Sequence, residues 1–120
     1  MAKAEADYRG ALALKRLRRD PVPELVCFHA QQCAEKYLKA LLQSHGSAPP
    51  RTHDLDELTA RLTPTTSHVM RLAGDSASLT EYGVDVRYPG QSATPDEAKH
   101  AVAAMRRIRR FARRGLGIGR

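Results

Sequence analysis

One segment, from Glu24 to His45, constrains the fold of this chain more than any other. Pro21 and Pro23 precede it and Gly46 follows it, so the sequence predicts a single helix with defined limits. At about 100° per residue, its apolar side chains share one broad arc, formed by Val26, Cys27, Phe28, Ala30, Ala34, Tyr37, Leu38, Leu41 and Leu42. An arc this wide is typical of a helix at the centre of a bundle.

Gln31 is the polar exception inside that arc, between Leu38 and Leu42 on the helical wheel. An unpaired buried amide costs roughly 1–3 kcal/mol. We therefore expect Gln31 to be buried and hydrogen-bonded. The polar face of the same helix contains Gln32, Glu35 and Lys36, which we expect to be partly exposed.

The remaining segments also favour helices. Ala2–Arg19 has apolar residues at mixed three- and four-residue steps, among them Ala6, Leu12, Ala13 and Leu17. Asp54 followed by Glu57 resembles a capping box that opens a short helix, and Pro64 closes it. A weaker helix follows, with Val69, Leu72, Ala73, Leu79 and Tyr82 as its apolar positions and Gly74 in its middle.

The last helix has the clearest start signal, Thr94 as N-cap followed by Pro95 and two carboxylates. Its apolar strip contains Met105, Ile108 and Ala112. Since no segment alternates as a strand does, the sequence predicts an all-α, antiparallel, up-and-down bundle of four to five helices. We assign this bundle to residues 1–114 and a flexible Gly/Arg tail to residues 115–120.

The positive charge of the chain is confined to its end. The 120 residues include 20 Lys and Arg against 13 Asp and Glu, a net charge of +7. All the acidic residues precede Met105, whereas seven arginines follow it. Five of these form a candidate electrostatic patch for nucleic acid: Arg106, Arg109, Arg110, Arg113 and Arg114. A solvated basic face, or a docking site for an acidic protein, would need the same charges.

Several classes of protein are disfavoured. No apolar run approaches the roughly 18–20 residues that cross a bilayer, and the charged N-terminus does not resemble a secretory signal. Cys27 and Cys33 are expected to be buried free thiols in a reducing compartment, so we expect a cytoplasmic protein without membrane contact. The spacings typical of metal ligands and cofactor loops are absent, so we expect neither a metal nor a cofactor.

A series of motifs in order resembles the HEPN family. The matching features are Phe28-His29-Ala30-Gln31-Gln32, Glu35-Lys36, the leucine-rich stretch 38–42, Thr52-His53-Asp54-Leu55, Tyr82, Arg87-Tyr88-Pro89 and Asp96-Glu97-Ala98. The resemblance extends from about Ala2 to Phe111. It implies a helical bundle that forms homodimers and is commonly encoded beside a minimal nucleotidyltransferase, in a toxin–antitoxin-like pair.

The resemblance leaves three functions open. The first is a module that binds a nucleotide or RNA and partners a nucleotidyltransferase. Its candidate ligand contacts are Gln32, Glu35, Lys36, His53, Arg87 and Tyr88. The second is a metal-independent ribonuclease. Family members of that kind use an Arg and a later His separated by four to six residues. Here only Arg61 and His68 have that spacing, with six residues between them, one of which is Pro64. We therefore assign no catalytic residue. The third is a dimeric interaction or regulatory bundle without a ligand.

We also expect a homodimer on physical grounds. Six large residues offer more apolar surface than four short helices need: Tyr37, Leu38, Leu41, Leu42, Met105 and Ile108.

Overall fold

A computed structural model describes residues 1–83 and 93–119 of the chain. It contains five α-helices in order, α1 (Ala2–Lys15), α2 (Pro23–Ser44), α3 (Leu55–Leu62), α4 (Ala73–Thr80) and α5 (Pro95–Gly115). Two short 3₁₀ helices flank α4, Val69–Leu72 before it and Glu81–Gly83 after it. Within the described residues there is no strand, and the predicted all-α bundle is confirmed.

The long helix α2 lies at the centre, in contact with α1, α3, α4 and α5. Its limits agree with the prediction, because Pro23 occupies the first turn and Gly46 adopts a positive φ of 82° after the last one. Gln31 is fully buried and hydrogen-bonded, as expected. Two positions differ from the prediction: Phe28 is 37% exposed, and Glu35 is buried.

The first helix differs from the prediction in both length and orientation. It ends at Lys15 instead of Arg19. Ala6, Ala13 and Leu17, expected to face inward, are exposed. The residues that contact the core are instead Ala4 and Ala11, which are buried, and Tyr8, Leu12 and Leu14, which are half-buried. The prediction was wrong because the inward face of α1 also includes Glu5 and Asp7, whose ion pairs allow carboxylates to face a neighbouring helix.

The segment from α3 to α4 packs through leucines. Asp54 caps α3 by accepting hydrogen bonds from the backbone N–H groups of Asp56 at 2.9 Å and Glu57 at 3.4 Å. Beyond Leu62 the chain turns, and the helix predicted around Gly74 is divided into a 3₁₀ helix and α4. The side chains buried on this side are Leu55, Leu58, Leu62, Val69, Leu72 and Leu79.

The last helix is fixed at both ends. Thr94 and Glu97 form a capping box at its start, each side chain bonded to the other residue's backbone N–H. Near its end Gly115 passes α2 so closely that a Cβ there would lie 2.8 Å from Leu41 Cδ1. The chain then folds back, with the Ile118 N–H donating to the Arg113 carbonyl at 2.9 Å.

The apolar residues from which we predicted a spare surface are all used within the chain. Tyr37, Leu38, Leu41, Met105 and Ile108 are fully buried, and Leu42 is 2% exposed. The physical argument for a dimer was therefore wrong, because α2 and α5 cover each other's apolar faces. Cys27 and Cys33 are both buried, as predicted, and no disulfide joins them. In the described part of the chain, no helix is long and apolar enough to cross a bilayer.

Candidate nucleic-acid interface

The C-terminal half of α5 and the middle of α1 form the walls of an open groove. Its volume is about 580 Å³. The residues that line it are Tyr8, Arg106, Arg109, Arg110, Arg113, Arg114 and Ile118. All five arginines of the predicted electrostatic patch therefore lie around one concavity. They divide into two groups, one hydrogen-bonded to neighbouring residues and one unpaired within the described chain.

Arg109 is held in place from several sides. Its Nε and Nη2 donate to the two carboxylate oxygens of Glu5, at 2.8 and 2.7 Å. Its guanidinium also lies over the ring of Tyr8, 4.1 Å from the ring centre. The side chain is only 17% exposed. Glu5 and Tyr8 are three residues apart on α1, so one face of that helix provides both contacts.

Arg113 is fixed beside it. Its Nη1 donates to the hydroxyl of Tyr37 at 2.9 Å, and its Nε donates to the Gly119 carbonyl. The Tyr37 hydroxyl in turn donates to Glu5 at 2.6 Å. Glu5 therefore anchors both arginines, Arg109 by two hydrogen bonds and Arg113 through a buried tyrosine and an ion pair of 3.8 Å. The Arg113 side chain is 16% exposed.

These contacts shift the acid–base properties of the cluster in a consistent direction. The hydrogen bond from Arg109 is the main reason that the pKa of Glu5 falls from 4.5 to about 2, with Tyr37 and Arg113 acting in the same sense against burial. Burial and the neighbouring Glu5 raise the pKa of Tyr37. The bond to Glu5 raises the pKa of Arg109 above its usual value. The cluster is thus ionised as Glu5⁻ and Arg109⁺ throughout the neutral range.

The second group, Arg106, Arg110 and Arg114, is exposed. None of the three has a hydrogen bond or ion pair with any residue in 1–83 or 93–119. Arg107 lies outside the groove, because it forms a two-fold contact with Asp75 on α4 at 2.8 and 2.9 Å. The groove therefore has two anchored arginines and three unpaired ones. We call the unpaired set the rim arginines.

The other predicted site is only partly assembled. His53 Nδ1 lies 2.6 Å from Glu35 Oε1, and Gln32 donates to Gln31 at 2.7 Å. Lys36 instead pairs with Asp7, which also bonds to His29 Nδ1 at 2.9 Å. Arg87 and Tyr88 lie outside the described residues.

The burial of Glu35 is offset by three neighbouring side chains that provide hydrogen bonds to its carboxylate. His53, Gln31 and Lys39 all hydrogen-bond to its carboxylate. Burial raises its pKa, but these three bonds lower it by more, so the pKa of Glu35 lies below its usual range. Since an ionised carboxylate only accepts hydrogen bonds, the His53 proton is on Nδ1 and Nε2 is left with its lone pair when the ring is neutral. Gln31 also donates to the His53 carbonyl at 3.0 Å, which fixes the loop before α3.

The Arg61–His68 pair is not arranged on one helix. Arg61 lies in the last turn of α3, and His68 lies beyond the turn with a positive φ of 67°. Residues 1–83 and 93–119 contain no group of three or more His, Cys, Asp or Glu side chains suited to a metal ion.

The sequence analysis missed Glu5, Tyr8 and Tyr37 as parts of the arginine site. They are far from α5 in the chain, and Glu5 is 104 residues from Arg109. One signal was available: Glu5 and Tyr8 lie three residues apart in a predicted helix, so they share one of its faces.

The fold and the groove define an all-helical bundle with a basic concavity at one end. The HEPN domain profile matches residues 1–115 of the chain. Among solved structures, the crystal structure of an archaeal HEPN homologue is 28% identical in sequence, with a TM-score of 0.73 over 93% of this chain and 90% of that one. None of the curated proteins compared with the chain matches it. The chain belongs to the HEPN family, and the predicted resemblance is confirmed.

Proposed function

We propose that this HEPN protein is an RNA-binding module and that the arginine groove is its contact surface for the phosphate backbone. One observation supports this function above the others: three arginines at one concavity have no acidic partner among the described residues. Nearby carboxylates neutralise Arg107 and Arg109, so free positive charge is concentrated at the rim. Such charge attracts a polyanion and releases its counterions on binding.

The spacing of the rim arginines favours an extended anionic chain. Arg106, Arg110 and Arg114 recur every four residues, so they form one row along α5. The row is about 12 Å long at 1.5 Å per residue. Guanidinium groups in a row suit successive phosphates.

The test compares two triple variants of equal charge in binding to a fluorescent single-stranded RNA at low salt. R106Q/R110Q/R114Q removes the rim arginines, and we expect affinity to fall by about 100-fold. R16Q/R18Q/R19Q removes three exposed arginines near the end of α1, and we expect a change below about threefold. Equal losses in both variants would show that net charge alone is responsible. Retention of an acidic polypeptide but not RNA by the wild-type protein would favour a protein partner instead.

The proposed assembly follows the family resemblance. We propose that the chain forms a homodimer in the cytoplasm and pairs with a minimal nucleotidyltransferase in a toxin–antitoxin-like system. The neighbouring open reading frame identifies the candidate partner, and co-purification of the two chains tests the pair. Light scattering at micromolar concentration tests the dimer, and a single-chain mass would contradict it.

A second candidate function is metal-independent RNA cleavage, which the His53–Glu35 pair favours. The His53 side chain is 62% exposed while Glu35 is 7% exposed, so a buried carboxylate orients an accessible imidazole. Nε2 could then accept the proton of a ribose 2′-hydroxyl as its oxygen bonds to phosphorus and the 5′-oxygen departs. The test is cleavage of single-stranded RNA in the presence of a chelator. Cleavage that H53Q abolishes and H68Q preserves would support this function, and intact RNA with the wild-type protein would exclude it.

A further inference from the structure

The anchored arginines each have one terminal nitrogen left for a ligand. Arg109 uses Nε and Nη2 on Glu5, which leaves Nη1. Arg113 uses Nη1 on Tyr37 and Nε on Gly119, which leaves Nη2. Neither remaining nitrogen is hydrogen-bonded to another residue of the described chain. Both side chains line the groove, and both are held by partners that the ligand does not have to displace.

We propose that Arg109 Nη1 and Arg113 Nη2 form a seat for a terminal phosphate monoester of RNA. This inference rests on the proposed function and specifies which part of the RNA the groove recognises. Arg109 Nη2 lies 2.7 Å and Arg113 Nη1 lies 3.8 Å from the same carboxylate oxygen of Glu5, Oε1, so the two guanidinium groups are neighbours. Because Glu5 and Tyr37 already hold them, binding orders little additional side-chain freedom.

The charge of the groove favours a terminal phosphate over an internal one. Five arginines less the one charge of Glu5 leave a formal charge of +4 around the groove. A phosphate monoester has about −1.5 to −2 charges at pH 7 and three free oxygens. An internal phosphodiester has a single charge and two free oxygens. The monoester therefore gains more from the two fixed donors, Arg109 and Arg113.

The size of the groove also favours the end of an RNA chain over an internal segment. Its volume of about 580 Å³ is that of a pocket for a small ligand, which is about 300–1,000 Å³. A site of this size accommodates the last nucleotide of a chain more readily than a long internal tract. The seat would accept a 5′-phosphate or a 3′-phosphate, and the experiment distinguishes them.

The experiment measures the affinity of the full chain for four RNAs of one base sequence with an internal fluorescent label. One has hydroxyl groups at both ends, one has a 5′-phosphate and one has a 3′-phosphate. The fourth has hydroxyl ends and one extra nucleotide, so that it contains as many phosphates as the phosphorylated RNAs. We expect one phosphorylated RNA to bind about tenfold more tightly than the fourth RNA, which has the same number of phosphates.

Two variants assign the preference to the seat. R113K keeps the charge but not the planar donor fork, and we expect it to abolish the preference, so that the RNAs with and without a terminal phosphate bind with equal affinity. R109K serves the same purpose if R113K does not fold, which circular dichroism determines. R110Q is the control, because loss of a rim arginine should weaken all four RNAs alike.

The outcomes separate this inference from the proposed function. Equal binding by the wild-type protein of the phosphorylated RNAs and the fourth RNA, which has as many phosphates, would overturn the phosphate seat and leave RNA binding intact. A preference that survives in both R113K and R109K would also overturn the seat. If the wild-type protein retained none of the RNAs at low salt, the proposed function would fail and the seat with it.

Discussion

Two groups of arginines lie on the same helix and differ in what surrounds them. Arg109 and Arg113 face α1 and α2, where Glu5 and Tyr37 bind them, and Arg107 reaches Asp75 on α4. The rim arginines face outward and are paired with no described residue. The same stretch of sequence therefore contains arginines that hold the helices together and arginines that are unpaired in the described chain. The position of each arginine around the helix axis decides to which group it belongs.

This difference separates stability from binding. The anchored arginines replace apolar packing between α1 and the rest of the bundle, since α1 buries only two alanines completely. Removing them leaves a half-buried carboxylate without its cation. The rim arginines have no such role, so their loss should weaken RNA binding without changing the stability of the fold.

The largest expected effect on stability is that of the double substitution R109Q/R113Q. It removes both cations from Glu5, and we expect it to lower the free energy of unfolding by about 3 kcal/mol. At about 4 °C per kcal/mol for a domain of this size, Tm should fall by about 12 °C in a thermal scan. The triple rim variant should keep the wild-type Tm within about 2 °C. Equal shifts in the two variants would remove the distinction between the groups.

The next largest effect is expected from E5Q. The substitution keeps the size of Glu5 but loses two charge-assisted bonds to Arg109, each of which is stronger than a neutral one. Chemical denaturation should show a loss of about 2 kcal/mol. E57Q is a suitable control, because Glu57 forms an exposed pair with Arg61. This substitution should lower the free energy of unfolding by less than about 0.5 kcal/mol. A loss no greater than that of E57Q would mean that Glu5 anchors nothing.

The pH dependence of the same variant sharpens the comparison. The pKa of Glu5 in the folded protein, about 2, lies below its ordinary value of 4.5. Its contribution is therefore present in full above about pH 4.5 and is lost as pH falls toward 2. The stability difference between wild type and E5Q should be constant from pH 5 to 7 and shrink between pH 4.5 and 2. A difference that grew on acidification would contradict the assigned ion pair.

The smallest effect is expected from R107Q. The Arg107 side chain is 56% exposed, so its pair with Asp75 is screened by solvent despite its two-fold geometry. We expect a loss of about 0.5 kcal/mol in denaturation. RNA affinity should change by less than about threefold, because Arg107 lies outside the groove. A loss of affinity as large as that of R110Q would extend the binding surface to the α4 side.

The sequence predicted those features that depend on local signals. The start of α5 at Thr94, the limits of α2 and the burial of Gln31 each follow from neighbours in the chain. The orientation of α1 could not be predicted in this way. Its inward carboxylate Glu5 is satisfied by Arg109, and charged residues are expected to face solvent until such a partner is known.

The candidate sites were predicted only in part for the same reason, because their side chains depend on partners from distant parts of the chain. Glu35 was expected to be partly exposed, because a single helix cannot show that His53 from a later loop will bond to it. The basic end was predicted as one patch, because all its arginines have the same charge and differ only in partners elsewhere in the fold. Replacing Arg109, Arg110, Arg113 and Arg114 together would therefore lower the stability of the bundle as well as RNA binding, since two of the four stabilise it.

The most direct test of the account is the salt dependence of RNA binding. Contacts with about three phosphates release about three counterions, so a plot of log K against log salt should have a slope of about −2 for single-stranded RNA, at about 0.7 per contact. The R106Q/R110Q/R114Q variant should show a slope near zero and weak residual binding, while R107Q should keep the wild-type slope. A wild-type slope near zero, or an unchanged slope in the triple variant, would contradict the claim that the rim arginines bind the RNA backbone.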